Sequence, residues 1–219
     1  MFNEFFLNEW NGRELIRLQS YYQSGYESGF VQEEFFVEDR VQQIVVNWLC
    51  NKKDLHIQLM DPRGQTLNDF SLKRNTELFQ YGFTYRKIIK NPSPGRWRVM
   101  VAMGEEPGPF ILTVHFSSKI NQDQAIITTA TETINIFYMC KQEFTDPKGI
   151  NLDILLEFIS PRMKKLKRIR VDHLTNSQKL VIPPFADGVY NLTIQVEGKT
   201  KTGYAFQRTV LESVYCKKT

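Results

Sequence analysis

A strictly alternating run closed by a tight turn constrains this chain more than any other feature. From Lys53 to Gly64, Leu55, Ile57 and Leu59 alternate with His56, Gln58 and Met60. A period of two places the three aliphatic residues on one side of a strand, which a helix of period 3.6 would not do. The run ends in Asp61-Pro62-Arg63-Gly64, with aspartate, proline and glycine at the positions a type I turn favours. A second stretch answers it about thirty residues later. There Asn91-Pro92-Ser93-Pro94-Gly95 precedes Trp97, Val99 and Val101, which alternate with Arg96, Arg98 and Met100. Both stretches predict strands with one buried face.

The same signal recurs along the chain. Val31 to Val37 leads in, and Ile44, Val46, Trp48 and Cys50 share one face of the next strand. The region from Leu67 to Tyr85 is polar and weakly patterned. After the Gly104-Glu105-Glu106-Pro107-Gly108-Pro109 turn region, Phe110, Leu112, Val114 and Phe116 alternate with Ile111, Thr113 and His115. A polar stretch from Ser117 to Gln124 predicts a domain boundary. Beyond it, Ile136, Tyr138 and Cys140 alternate, as do Leu152, Ile154, Leu156 and Phe158. Ile169 and Val171 belong to a basic strand, and Leu180 to Ile182 to a short one. Asp187-Gly188 signals a turn before Tyr190, Leu192, Ile194 and Val196. A last strand from Tyr204 to Tyr215 changes phase near Thr209, as a β-bulge would make it do.

Many short strands with glycine and proline turns predict an all-β chain of two tandem antiparallel β-sandwiches. The first, of jelly-roll type, spans 30–118; the second, immunoglobulin- or fibronectin-III-like, spans 125–219. Residues 1–29 read as a linker, a short helix or the end of a preceding domain. Phe6, Leu7, Trp10, Leu15, Ile16 and Leu18 give that segment a loose amphipathic pattern, interrupted at Asn11-Gly12.

At 219 residues the chain is long enough for two domains that each bury a core. Its formal charge of +4 is too mild to indicate a dedicated nucleic-acid binder. Three cysteines, Cys50, Cys140 and Cys216, form neither a disulfide framework nor a zinc spacing. The first ten residues lack the charged and apolar regions of a signal peptide, and no run is long and apolar enough for a membrane span. A native start at Met1 implies a cytoplasmic protein; a start inside a longer gene implies an extracellular or cell-surface one.

The first sandwich resembles the pre-peptidase C-terminal-like domain and the related β-sandwich that follows von Willebrand A domains. The residues that carry this are Phe36-Val37, the strand ending at Trp48, Leu55 to Gly64, Pro92 to Val99 and Phe110 to Val114. The second sandwich is similar to the Ig-like domain often found after it, through Asp187-Gly188-Val189-Tyr190 and Gly203 to Arg208. Together the two cover roughly residues 30 to 217. The resemblance implies a non-catalytic C-terminal region of a larger secreted or surface protein. Those pre-peptidase domains often carry paired aspartates before the second strand, where this chain has Lys52-Lys53-Asp54.

Candidate sites are few. Asp54 and Asp61 would flank a loop-bound calcium, but too few other carboxylates lie nearby, and turn chemistry accounts for Asp61. His56, His115 and His173, the three histidines, fall on outward faces or at a strand end, where solvated side chains are expected. Gly25-Tyr26-Glu27-Ser28-Gly29 has its serine one position late for a nucleophile elbow. Cys140 and Cys216 lie on the first and last strands of the second domain, where a disulfide and two reduced thiols are both compatible with the sequence. Asn191-Leu192-Thr193 fits a glycosylation sequon but falls mid-strand.

The sharpest chemical feature is Arg162, Lys164, Lys165, Lys167, Arg168 and Arg170, six cations in nine residues. They predict a local positive potential for an anionic polymer, an anionic surface or a partner's acidic patch. The alternative is an edge strand whose charges prevent pairing with neighbours. No catalytic residue, cofactor or metal is assigned. The expected role is a non-catalytic accessory or binding module that contacts a protein partner or an adjoining N-terminal domain, with no specific nucleic acid. A hydrolase fragment contributing to an active site and a free-standing cytoplasmic interaction protein are the alternatives.

Overall fold

A computed structural model of the chain describes residues 14–21, 30–75, 82–102, 110–118, 124–130, 133–139, 151–160, 163–171, 179–182 and 187–216. Among these residues the regular elements are all β-strands, and the chain divides into two compact units. One is built mainly on Gly12–Lys119, the other mainly on Ile120–Gly203 and Gln207–Thr219.

The first unit holds β1 (Glu14–Tyr21), β2 (Phe30–Val37), β3 (Val41–Cys50), β4 (His56–Met60) and β5 (Thr66–Leu67). It continues with β6 (Ser71–Asn75), β7 (Gly82–Lys90), β8 (Gly95–Ala102) and β9 (Phe110–Ser118). These form a five-stranded sheet, β1-β9-β3-β7-β6, and a four-stranded sheet, β2-β8-β4-β5. The chain crosses repeatedly between the two, which is the winding of a jelly roll. The core is shared: Phe35, Ile57, Leu59, Trp97 and Val99 come from one sheet, and Ile44, Trp48, Tyr85, Phe110 and Val114 from the other. Trp48 stacks on Phe110 at 4.0 Å between ring centroids, and Phe35 on Trp97 at 6.3 Å. Burying such aromatic and aliphatic side chains contributes about 1.5–3 kcal/mol each. The indole N–H of Trp97 donates to the Ser93 carbonyl at 2.9 Å, so the ring is buried without leaving its polar end unmet.

The two stretches that alternate in sequence are neighbours in space. In the β4–β8 pairing Ile57 lies opposite Val101 and Leu59 opposite Val99. Asp61 closes the following turn: one carboxylate oxygen accepts the Arg63 and Gln65 amides at 2.9 and 2.8 Å, while its carbonyl accepts Gly64 N–H at 3.0 Å. Gly95 has φ +130, and a Cβ there would sit 3.0 and 3.1 Å from Cβ and Cγ of Pro62. The first turn therefore rests on the glycine of the second.

Two expectations need correction. The segment Glu14–Tyr21, read as part of a linker or amphipathic helix, is a strand paired with β9 from Glu14↔Phe116 to Tyr21↔Phe110. Its register shifts between Leu15 and Arg17, which breaks the period-two pattern a strand would otherwise show. Phe6, Leu7 and Trp10 lie outside the described residues. The second correction concerns β9, whose alternate face was expected to be outward. Ile111, Thr113 and His115 are as buried as Leu112 and Val114. A strand between two neighbours and covered on both faces loses the polar alternation that marks a solvated face. On this second face the Asn47 side-chain amide donates to Thr113 Oγ1 at 3.0 Å.

The second unit holds β10 (Gln124–Ala130), β11 (Thr133–Met139), β12 (Asn151–Ser160), β13 (Met163–Val171), β14 (Lys179–Ile182), β15 (Gly188–Lys199) and β16 (Ala205–Cys216). They form a three-stranded sheet, β10-β11-β14, and a four-stranded sheet, β13-β12-β15-β16. Two antiparallel sheets of this kind are consistent with a β-sandwich. Along β15, Tyr190, Leu192, Ile194 and Val196 are buried and lie opposite Phe158, Leu156, Ile154 and Leu152 of β12. Gly188, at φ +147, opens that strand, as the Asp187-Gly188 turn signal predicts.

Candidate functional site

The cation-rich segment becomes β13, the outer strand of the four-stranded sheet, with β12 as its neighbour. The two strands run in unbroken antiparallel register, from Ser160↔Met163 to Leu152↔Val171. Alternation along a strand then divides the charges. Lys164, Arg168 and Arg170 fall on the face of Asp153, Leu155 and Ile159. Lys165 and Lys167 take the alternate register positions, opposite Phe158 and Leu156. Arg162 lies outside the described residues. The compact cluster of the sequence is therefore spread over both faces of an edge strand.

Asp153 partly neutralises one face. Arg168 Nε donates to its two carboxylate oxygens at 2.9 and 3.1 Å, and an Nη of the same guanidinium makes a further hydrogen bond. An Nη of Arg170 stands 3.8 Å from the same carboxylate. Hydrogen bonding from Arg168 holds the Asp153 carboxyl below its ordinary value against the opposing effect of partial burial, and the charges of both arginines add to this. The arginines are exposed, so the cluster is open to salt and solvent. Sequence reading missed Asp153, although it stands out of phase among Leu152, Ile154 and Leu156. The register that closes at Ser160↔Met163 is what carries it to Arg170.

The depressed carboxyl has a pH consequence. Its contribution to stability is present above the ordinary aspartate range and is lost as pH falls through the lowered folded value. Asp153→Asn is expected to remove that part of the acid dependence while leaving the neutral-pH fold intact. Melting temperatures of both proteins followed from pH 6 downward, at low and high salt, check this (a range set by ordinary carboxylate titration, about pH 4). Parallel curves would mean that the arginines make no net contribution through Asp153.

The other candidates resolve differently. Asp61 is engaged in its turn, and Asp54 adopts φ +67 in the loop before β4. That loop is fastened by Tyr85, whose hydroxyl accepts Leu55 N–H at 3.1 Å and donates to the Lys52 carbonyl at 3.4 Å. Among the described residues no three or more His, Cys, Asp or Glu side chains are grouped to hold a metal. His56 is exposed and bonded to Gln58 at 2.9 Å. His115 is the exception to the expected solvated histidines, being buried on β9. Ser28, Cys140 and His173 lie outside the described residues. Cys50 is a free, buried thiol, and burial pushes its pKa up to about 11, which suits a core residue and disfavours a nucleophile. Asn191 accepts a hydrogen bond from Ser213 at 2.8 Å within the four-stranded sheet. No helix among the described residues is long and apolar enough to cross a membrane.

No protein-family model matches the sequence, and no curated protein matches it either. Solved structures do. The Bacillus licheniformis lipase BlEst2 in its propeptide form superposes with a TM-score of 0.65 at 22% identity, over 93% of this chain and 41% of that one. The chain thus spans less than half the length of that neighbour, and the likeness is one of fold. The chicken interferon gamma receptor alpha chain matches with a TM-score of 0.34 at 8% identity, over 93% of this chain and 98% of its own. A β-glucuronidase from an uncultured Clostridium gives 0.30 at 11%, over 91% and 44%. Superpositions at those two levels carry no argument.

Proposed function

We propose that this chain is a non-catalytic accessory region of a larger hydrolase, two β-sandwich modules meeting between residues 118 and 125 that engage an adjoining domain or a protein partner. The observation that supports the reading is the lipase neighbour, in which a fold like this one occupies 41% of a longer hydrolase chain. The site chemistry agrees with it. The Cys50 thiol is buried with its pKa pushed up to about 11, and Asp61 is committed to its turn. Membership of the pre-peptidase or post-von-Willebrand-A families, suggested by the turn and strand motifs, is part of the same proposal, as is an extracellular setting.

The test is direct. The purified chain is incubated with p-nitrophenyl butyrate and, separately, with a fluorophosphonate probe that labels activated serines. The reading expects background turnover and no labelled residue. Turnover together with one stoichiometrically labelled serine would overturn it in favour of a hydrolase whose active site this chain helps to build.

A further inference from the structure

We infer that the outer edge of β13 is a docking rail for an extended acidic polypeptide strand. The inference rests on the proposed accessory role and names the chemistry of the partner that role would serve.

Three features lead to it. The first is geometric. β13 is 9 residues long, ends its sheet among the described residues, and keeps an unbroken register with β12, with neither a bulge nor a proline within Met163–Val171. Such an edge presents alternate backbone N–H and C=O groups away from β12, the template that strand addition uses. The second is charge balance. Within Met163–Val171 stand Lys164, Lys165, Lys167, Arg168 and Arg170, while β12 supplies only Asp153 and Glu157. Asp153 is taken by the two arginines, and Glu157 stands opposite Leu166. The register positions facing Lys164, Lys165 and Lys167 are Ile159, Phe158 and Leu156. The register thus places an apolar residue, not a carboxylate, directly opposite each of the three lysines.

The third is what the charges exclude. A second copy of β13 laid antiparallel on this edge and centred on Lys167 would oppose Lys164 to Arg170 and Lys167 to itself. Like charges directly opposite one another destabilise a pairing. The edge is therefore closed to its own copies and to neutral aggregation, as an edge protected by lysine should be. An acidic strand inverts every one of those terms. Because the cations occupy both faces, the fitting strand carries carboxylates at successive positions rather than on one face only.

The experiment uses the full chain and a fluorescent, acetylated nonaglutamate peptide, with binding followed by anisotropy at low salt. Two comparisons decide the outcome: the same peptide N-methylated at every residue, which keeps the charge but cannot donate to a β-ladder, and a Lys164→Ser, Lys165→Ser, Lys167→Ser variant. Each is expected to weaken binding at least about tenfold, the first through lost ladder hydrogen bonds and the second through lost paired charges. A Lys→Gln triple that preserves side-chain length, with its melting temperature measured, separates lost charge from lost fold. No binding by the unmodified peptide, or equal binding by the triple variants, would overturn the inference. Equal binding of the N-methylated peptide, or competition by inorganic polyphosphate that matches the peptide charge for charge, would also overturn it, leaving a charge-only surface. None of these outcomes depends on ester turnover or serine labelling, so the rail and the accessory reading fail separately.

Discussion

Trp48→Ala is expected to cost about 3–5 kcal/mol of stability, the range for deleting a large aromatic side chain from a core. The site has little freedom to collapse. Trp48 is 0% exposed, stacked on Phe110 at 4.0 Å, and placed on β3 directly between Tyr85 of β7 and Leu112 of β9. Its loss would leave a cavity between strands held at fixed spacing by their own hydrogen bonds. Urea unfolding of the jelly-roll unit, followed through the remaining tryptophans, should show a lower midpoint with an unchanged slope. A cost below about 1 kcal/mol would mean that the ring is dispensable to the core, contrary to its burial.

Gly95→Ala is expected to be nearly as damaging, at about 2–4 kcal/mol, from two additive causes. A side chain at φ +130 is strained wherever it stands, and here the new Cβ would also press on Pro62 at 3.0 Å. Gly64→Ala provides the comparison, because Gly64 shares a positive φ of +85 but has open space around it. That change should cost only about 1–2 kcal/mol. The excess at Gly95 is assigned to Pro62, and a double-mutant cycle with Pro62→Gly measures it. Coupling of about 0.5–3 kcal/mol is expected for residues in contact. Zero coupling would mean that backbone strain alone explains the cost and that the two turns do not brace each other.

The strands that the sequence discloses are those with one buried face. Leu55 to Met60 and Trp97 to Val101 alternate because one side meets the core and the other meets water, and both are strands. β9 is legible as a strand but not in its burial. Its Ile111, Thr113 and His115 look like an outward face because threonine and histidine are polar, yet all three are covered. β1 is illegible for another reason. Its stability comes from pairing with residues at the far end of the unit, and its register shift erases the local period. Nor does the weak pattern between Leu67 and Tyr85 reveal β6 and the start of β7, where polar and apolar residues mix on exposed and half-buried strands. At the candidate site, the number of cations is plain in the sequence. Their division between two faces, and the carboxylate that engages two of them, depend on the register with β12.

The pairing of β1 with β9 also bears on how the first unit reaches its folded state. Glu14 meets Phe116, so the two strands are joined by a loop of about a hundred residues, and closing it gains nothing until most of the intervening sheet exists. Contacts of such sequence separation slow folding. During synthesis Glu14–Tyr21 precedes every other described strand, yet its partner, Phe110–Ser118, is the last strand of the unit to be made. The earliest strand is thus secured only at completion, and until then the exposed backbone of Glu14–Tyr21 is the part of the nascent unit that most needs protection from other strand edges.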